Sequence, residues 1–188
     1  GDNDDVLDGG AGNDSIDGGT GTDSVDYSLA SQVVKIDLLD SVTTPGFNVQ
    51  DDGEGFTDNL VNIEKIIGSD IAAGDTIFAD GLDNIIFGGA GNDSIDGKSG
   101  ADTLKGDDGD DTFYVSSGND SIDGGLGNHD IVDYSTAVLG ATVNLKTLSA
   151  TATTADGSGT DFIINVEDIQ GSSFADDLTG STSANTIP

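Results

Sequence analysis

The chain of 188 residues has no cysteine, no arginine and a single histidine. Without cysteine it has no disulfide, no thiolate chemistry and no zinc ribbon. Its only strong bases are Lys35, Lys65, Lys98, Lys105 and Lys146. Five scattered lysines cannot neutralise a phosphate backbone, so nucleic acid is excluded as a partner, and anionic lipid is repelled. No apolar run approaches the ~20 residues of a membrane span, which argues against membrane insertion, and no basic start leads into a signal-like stretch. Glutamate is confined to Glu54, Glu64 and Glu167. Glu and Lys favour helices whereas Asp and Gly favour turns, so an ordinary helical enzyme is a poor fit.

Aspartate and glycine are what the chain has instead. Acids number 36 against five lysines, for a net charge of −31, and glycines number 29. That glycine content is roughly twice the ~7% average. Apolar residues at 34% allow a core, but so many carboxylates repel one another and demand a counter-charge. The length fits one domain, or two small ones fused.

The acids and glycines recur with a period of nine. Residues 9–17, 18–26 and 88–96 fit Gly-Gly-x-Gly-x-Asp-x-aliphatic-x at every fixed place. Degenerate copies continue the sixth place through Asp5, Asp14 and Asp23, then Asp75, Asn84, Asp93, Asp102, Asp111, Asp120 and Asp130. The eighth place stays apolar, as in Leu7, Ile16, Val25, Ile77, Ile86, Ile95 and Leu104. One extra residue enters the last turn around Asn128-His129.

Each place has a physical task. Glycines at places one, two and four permit positive φ and close backbone approach. Those at places two and four are Gly10, Gly12, Gly19, Gly21, Gly89, Gly91, Gly100, Gly109, Gly118, Gly125 and Gly127, and their turned carbonyls are expected to converge. The sixth-place Asp adds a hard oxygen of the kind Ca²⁺ takes six to eight of, at ~2.3–2.6 Å. The eighth-place aliphatic points inward from a short strand, while places seven and nine (Ser15, Asp17, Ser94, Asp96) face water. A single coil is too thin to bury a core, so turns must stack. With two turns per coil, turn n lies on turn n+2. Asp75 then pairs with Asp93, Asp93 with Asp111 and Asp111 with Asp130, while Asn84 pairs with Asp102 and Asp102 with Asp120. Asp5 pairs with Asp23, and Asp14 is left for the following segment. The expectation is roughly six to nine calcium ions, weakest at Asn84, which lacks a charge.

A longer repeat of about 105 residues encloses the first. Asp14-Ser15-Ile16-Asp17-Gly18-Gly19 returns as Asp120-Ser121-Ile122-Asp123-Gly124-Gly125, and Asn62-Ile63-Glu64 returns as Asn165-Val166-Glu167. The chain divides into a nonapeptide block (1–26), an insert (27–69), a second block (70–133), a second insert (134–170) and a further degenerate block (171–188) that carries Asp176. Alternation at Val34, Ile36 and Leu38, repeated at Ala141, Val143 and Leu145, predicts a half-buried strand in each insert. Leu60, Ile63 and Ile66, matched by Ile163, Val166 and Ile169, have period three, read as strand although one helical turn also fits. Asp58 and Asp161 sit in nonapeptide-like contexts, as ligands or as ordinary acidic turns.

These motifs resemble the RTX (haemolysin-type) family of calcium-binding nonapeptide repeats, over about half of the chain. The resemblance implies an all-β fold, a calcium-stabilised right-handed parallel β-roll, with two strand-containing inserts. It also implies a secreted or cell-surface bacterial location, export by type I secretion and folding in external Ca²⁺. The chain is then expected to be part of a larger polypeptide such as an adhesin or exoprotein, starting and stopping within turns. No enzyme is expected. His129 has no second histidine to share a metal and reads as an exposed loop residue. Paired acids such as Asp4-Asp5, Asp107-Asp108 and Asp110-Asp111 fall on or beside ligand places. Tyr27 and Tyr134 close the two blocks as packing caps. The alternatives are calcium-dependent recognition of a glycan or cell surface, and ice binding through Thr151, Thr153 and Thr154.

Overall fold

A computed structural model describes residues 1–38, 49–52, 54–115, 117–146, 150–153, 159–181 and 185, without the side chains of 49–51 and 150–153. Among them the chain is all-β. The strands are β1 (Val6–Leu7), β2 (Ser15–Asp17), β3 (Ser24–Asp26), β4 (Val34–Asp37), β5 (Val49–Asp52), β6 (Asn59–Val61), β7 (Lys65–Ile67), β8 (Thr76–Phe78), β9 (Ile85–Ala90) and β10 (Ser94–Asp96). They continue as β11 (Thr103–Asp108), β12 (Thr112–Tyr114), β13 (Ser121–Leu126), β14 (Ile131–Asp133), β15 (Thr142–Asn144), β16 (Ala150–Thr153), β17 (Thr160–Ile164), β18 (Asp168–Gln170) and β19 (Asp177–Thr179). Of the threonines considered for ice binding, Thr151 and Thr153 fall on β16 and Thr154 lies outside the described residues.

From β7 to β14 successive strands alternate between two faces, and each pairs in parallel with the strand two along. One face runs β8-β10-β12-β14-β18 and the other β7-β9-β11-β13-β17. Register keeps the eighth-place residues in file: Ile77 opposite Ile95, Ile95 opposite Phe113 and Phe113 opposite Val132. On the second face Ile86, Leu104, Ile122 and Ile163 do the same. Turn n therefore lies on turn n+2. The two files meet between the faces, where Ile77, Ile86, Ile95 and Phe113 are wholly buried. At places seven and nine, Ser15 and Asp17 are exposed while Ser94 and Asp96, in the middle of the stack, are half-buried.

The inserts continue the roll. In the first, β4 runs parallel to β8 and β5 folds back antiparallel on β4, while β6 runs parallel to β2 and β7 joins β3 to β9. In the second, β17 lies on β13, β16 is antiparallel to both β17 and β15, and β15 is parallel to β19. Val34, Ile36, Leu38, Ala141, Val143 and Leu145 are buried as their alternation requires. The period-three segment is two strands joined by a corner. Leu60 is on one strand, Ile66 on the other and Ile63 at the bend, all buried. Asn62 makes that bend at φ 53° and Asn165 its copy at φ 52°, a conformation asparagine tolerates better than most residues. Each clamps the coil before it, with Nδ2 donating to Asp17 Oδ1 (2.8 Å) and to Asp123 Oδ1 (2.7 Å) respectively.

Candidate metal centre

The sixth-place acids form two ladders along the roll. Each backbone N–H donates to Oδ1 of the acid one coil later. On one side Asp75 donates to Asp93 (2.6 Å), Asp93 to Asp111 (2.8 Å) and Asp111 to Asp130 (2.8 Å). On the other, Asn84 donates to Asp102 (2.8 Å), Asp102 to Asp120 (2.9 Å) and Asp120 to Asp161 (3.1 Å). In the first block Asp5 donates to Asp23 and Asp14 to Asp58 (2.8 and 2.9 Å). The pairs expected from stacking are thus brought together, and Asp58 and Asp161 occupy ladder places, as does Asp14.

The other carboxylate oxygen has a different environment. No described protein group donates to Oδ2 of Asp14, Asp23, Asp93, Asp102 or Asp111, and each of these atoms is buried. A buried carboxylate oxygen without a donor is costly while it carries charge. Burial accordingly pushes the Asp93 and Asp102 carboxyls up to about 7 and Asp111 to about 6, with neighbouring acids adding to the rise. Asp130 is likewise raised by burial to about 7. Burial also raises Asp75, Asp120 and Asp58. Either a proton or a cation must accompany these side chains into the fold.

The glycines show what surrounds the ladder. Place two and place four take positive φ, as at Gly89 (103°) and Gly109 (147°), except Gly127, in the turn with the extra residue, which is not among the positive-φ glycines. Place four is also where coils touch: a Cβ at Gly100, Gly109 or Gly118 would collide with the carbonyl oxygens of Leu82, Gly91 and Gly100 respectively. Place one departs from expectation, because Gly88, Gly97 and Gly106 are not among the positive-φ residues. Their lack of a side chain serves another purpose. A Cβ there would meet Oδ2 of Asp93, Asp102 and Asp111, the aspartate of the same turn. The glycine makes room for the acid.

Such a donor set suits calcium. Among the described residues no group of three or more His, Cys, Asp or Glu side chains gathers around one point. Coordination would draw on one or two carboxylates together with turn carbonyls, and hard oxygens in a flexible loop are what Ca²⁺ accepts.

Not every ladder place is alike. Asp75 accepts from Ser69 N (2.6 Å), Ser69 Oγ (2.9 Å) and Val34 N (2.7 Å), and Asp176 accepts from Ser172 N, Ser172 Oγ and Ala141 N (3.0, 2.7 and 2.7 Å). Hydroxyl and amide donors from a Gly-Ser pair satisfy both oxygens where the roll restarts after an insert. Burial opposes ionisation of Asp176, but these hydrogen bonds outweigh it and hold its carboxyl below the usual range. Asn84, with its NH₂ oriented to donate, reaches Leu82 O (2.8 Å) and Asp80 Oδ1 (3.2 Å), and so fills its cradle with its own amide.

Sequence reasoning missed two ladder members. Asp23 N donates to Glu64 Oε2 (2.8 Å), and Asp130 N to Glu167 Oε2 (3.3 Å). The signal was an acid two residues before a buried aliphatic, Ile66 or Ile169, but the inserts break the nine-residue phase that would reveal it. His129 is largely exposed, and its Nδ1 lies 3.1 Å from Asp168 Oδ2. That hydrogen bond raises the imidazole pKa.

The family model for the RTX calcium-binding nonapeptide repeat (four copies) matches residues 1–29, 72–104 and 96–128. No curated protein matches the chain. No helix among the described residues is long and apolar enough to cross a membrane.

Proposed function

The chain belongs to the RTX calcium-binding nonapeptide-repeat family through residues 1–29 and 72–128, and we propose that it is a calcium-folded β-roll segment of a larger secreted or surface-exposed bacterial protein, such as an adhesin or exoprotein. Its task in this reading is structural rather than catalytic. The observation that carries it is the row of buried Oδ2 atoms at Asp23, Asp93, Asp102 and Asp111, to which no described protein group donates. Without a divalent ion these carboxylates repel one another, and a thin core cannot offset the entropy of ordering a glycine-rich chain. With Ca²⁺, binding free energy becomes folding free energy. The proposal places roughly six to nine ions between stacked turns, strongest along Asp93, Asp102 and Asp111 and weakest at Asn84. Extracellular calcium modules have Kd values of ~10⁻⁴–10⁻³ M, so such a segment stays unfolded inside a cell and folds outside it.

Circular dichroism and small-angle scattering test this directly. In EGTA at neutral pH the chain should be expanded and coil-like, and millimolar Ca²⁺ should give strand signal and compaction. Mg²⁺ should substitute poorly, because it demands a small octahedral site and holds its water. An equally compact, strand-rich state in EGTA would overturn the coupling.

A further inference from the structure

Two consecutive turns of the second block lack the glycines of the calcium-type turn. Places one, two and four hold Asp70, Ile71 and Ala73 before Asp75, and Ala79, Asp80 and Leu82 before Asn84. None of these residues has positive φ, unlike Gly89, Gly91, Gly100 and Gly109 in the turns that follow. The backbone here therefore lacks the conformation for which the repeat keeps its glycines. The ligand-place side chains are satisfied from within the chain. Asp75 Oδ1 accepts from Val34 N and Ser69 Oγ, and its Oδ2 from Ser69 N. The Asn84 amide donates to Leu82 O and Asp80 Oδ1. Neither side chain is among those with a buried, unpartnered oxygen, in contrast to Asp93, Asp102 and Asp111.

Positive charge collects around the same coil, which consists of β8 and β9. Lys35 lies on β4 and Lys65 on β7, the strands that pair with β8 and β9 from the insert side. Lys98 follows β10 and Lys105 lies on β11, the strands that pair with β8 and β9 from the other side. Four of the five lysines thus border one coil. At place nine, where other turns have Asp17, Asp26, Asp96 and Asp123, this coil has Phe78 and Phe87. Lys98 Nζ lies 4.9 Å from the centre of the Phe78 ring, and Lys65 and Lys105 Nζ lie 5.2 and 5.7 Å from that of Phe87. An ammonium over a ring is attracted to its face.

The coil is also backed by the insert. Leu38 N donates to Phe78 O and Gly68 N to Phe87 O (both 2.9 Å), and Ile85 N donates to Glu64 O (2.8 Å). Val34, Ile36, Leu38, Ile66, Ile77 and Ile86 are buried on these strands and at their ends, so the core is two coils thick. Taking calcium-coupled folding of the other coils as given, we propose that β4, β7, β8 and β9 form a seed that holds its structure without an ion. Asp75, Asn84 and the bordering lysines do there what Ca²⁺ does elsewhere. Folding of a solenoid can begin at one coil and spread to its neighbours, and the calcium-loaded coils are added to this one. The seed is a small part of the chain, so in EGTA the whole remains expanded.

Amide hydrogen exchange of the full chain at stepped free Ca²⁺ and neutral pH, read by NMR, tests the seed. The coil of β10 and β11 is the comparison. It is paired on both sides, β10 with β8 and β12 and β11 with β9 and β13, so fraying does not separate the two coils. As Ca²⁺ is withdrawn, the amides of Ile85–Phe87 should stay protected at concentrations severalfold below those at which Thr103–Lys105 lose protection. Asn84→Asp replaces the donating amide with a second carboxylate beside Asp80 and should bring the two midpoints together. Ser69→Ala should narrow the gap less, because Ser69 N and Val34 N still donate to Asp75. A common midpoint for both coils, or a gap unchanged in both variants, would overturn the seed and leave calcium-coupled folding intact. Full protection of both coils in EGTA would overturn calcium-coupled folding, and the seed with it.

Discussion

At the scale of the residue, one tyrosine place has two different surroundings. Tyr27 is half-buried and its hydroxyl donates to Asp58 Oδ2 at 3.4 Å. Tyr134 is fully buried, and no hydrogen bond to its hydroxyl is formed among the described residues. Burial raises the pKa of both phenols, so both stay neutral. Leaving a buried hydroxyl without a partner costs ~1–3 kcal/mol, whereas a weak hydrogen bond contributes ~1 kcal/mol or less. Tyr134→Phe should therefore leave the thermal midpoint in fixed calcium unchanged or raise it. Tyr27→Phe should lower it slightly. Melting the two variants side by side reads the sign, and a lower midpoint for Tyr134→Phe would show that its hydroxyl has a partner such as a buried water.

At the scale of the element, the ladders link protons to calcium. The carboxyls of Asp93, Asp102, Asp111 and Asp130 titrate at about 6 to 7 in the fold, raised by burial from an ordinary value of 3.8. Groups raised in this way stabilise the calcium-free fold fully below the unfolded value. That contribution is lost as pH climbs through about 4 to 7. In EGTA, lowering the pH from 8 to 4 should make the chain more compact. Where that protonated fold is populated, calcium must displace its protons, so its midpoint concentration should fall as pH rises from about 4 to 7. The slope reaches about tenfold per pH unit for each proton displaced per ion, and it flattens above the folded values. Calcium titrations at several pH values check this, and a midpoint insensitive to pH would remove the ladder carboxyls from the binding step.

For the whole molecule, nearest-neighbour stacking decides where damage matters. Asp102 lies within a ladder, accepting from Asn84 and donating to Asp120, while Asp161 lies where the roll passes into the second insert. In a solenoid a break in the middle divides the stack, and one near an end frays it. Asp102→Ala should raise the calcium midpoint severalfold and lower the cooperativity of folding. Asp161→Ala should do less, and His129→Ala almost nothing, because its ring is largely exposed and bonds only Asp168 among the described residues. Far-UV circular dichroism during one calcium titration per variant gives the ranking. Identical curves for Asp102→Ala and His129→Ala would contradict the sharing of ladder acids between coils. The first insert adds β4 and β5 to one face, and the second adds β15 and β16 to the other. At ~4.8 Å per strand, each widens one side of the roll by about 10 Å relative to the opposite side.

Sequence alone determined the repeat, the stacking of alternate turns and the place of the ladder aspartates within the nonapeptide blocks, because a nine-residue period with fixed glycines admits few backbones, but it left Asp58 and Asp161 open. It also placed the buried residues of the inserts, since Val34, Ile36 and Leu38 can be buried together only on a strand. Tertiary structure decided what local pattern cannot express. Whether an insert continues the roll depends on which distant strand it meets, as when β6 pairs with β2 and β4 with β8. Glu64 and Glu167 joined the ladders despite being out of phase, because a corner at Asn62 or Asn165 restored their alignment in space. Asp75 and Asp176 share the motif of the other acids, yet a serine from the turn before each satisfies them. Spacing identifies which side chains are acids at ligand places. Only the packed chain determines which of their oxygens have a donor.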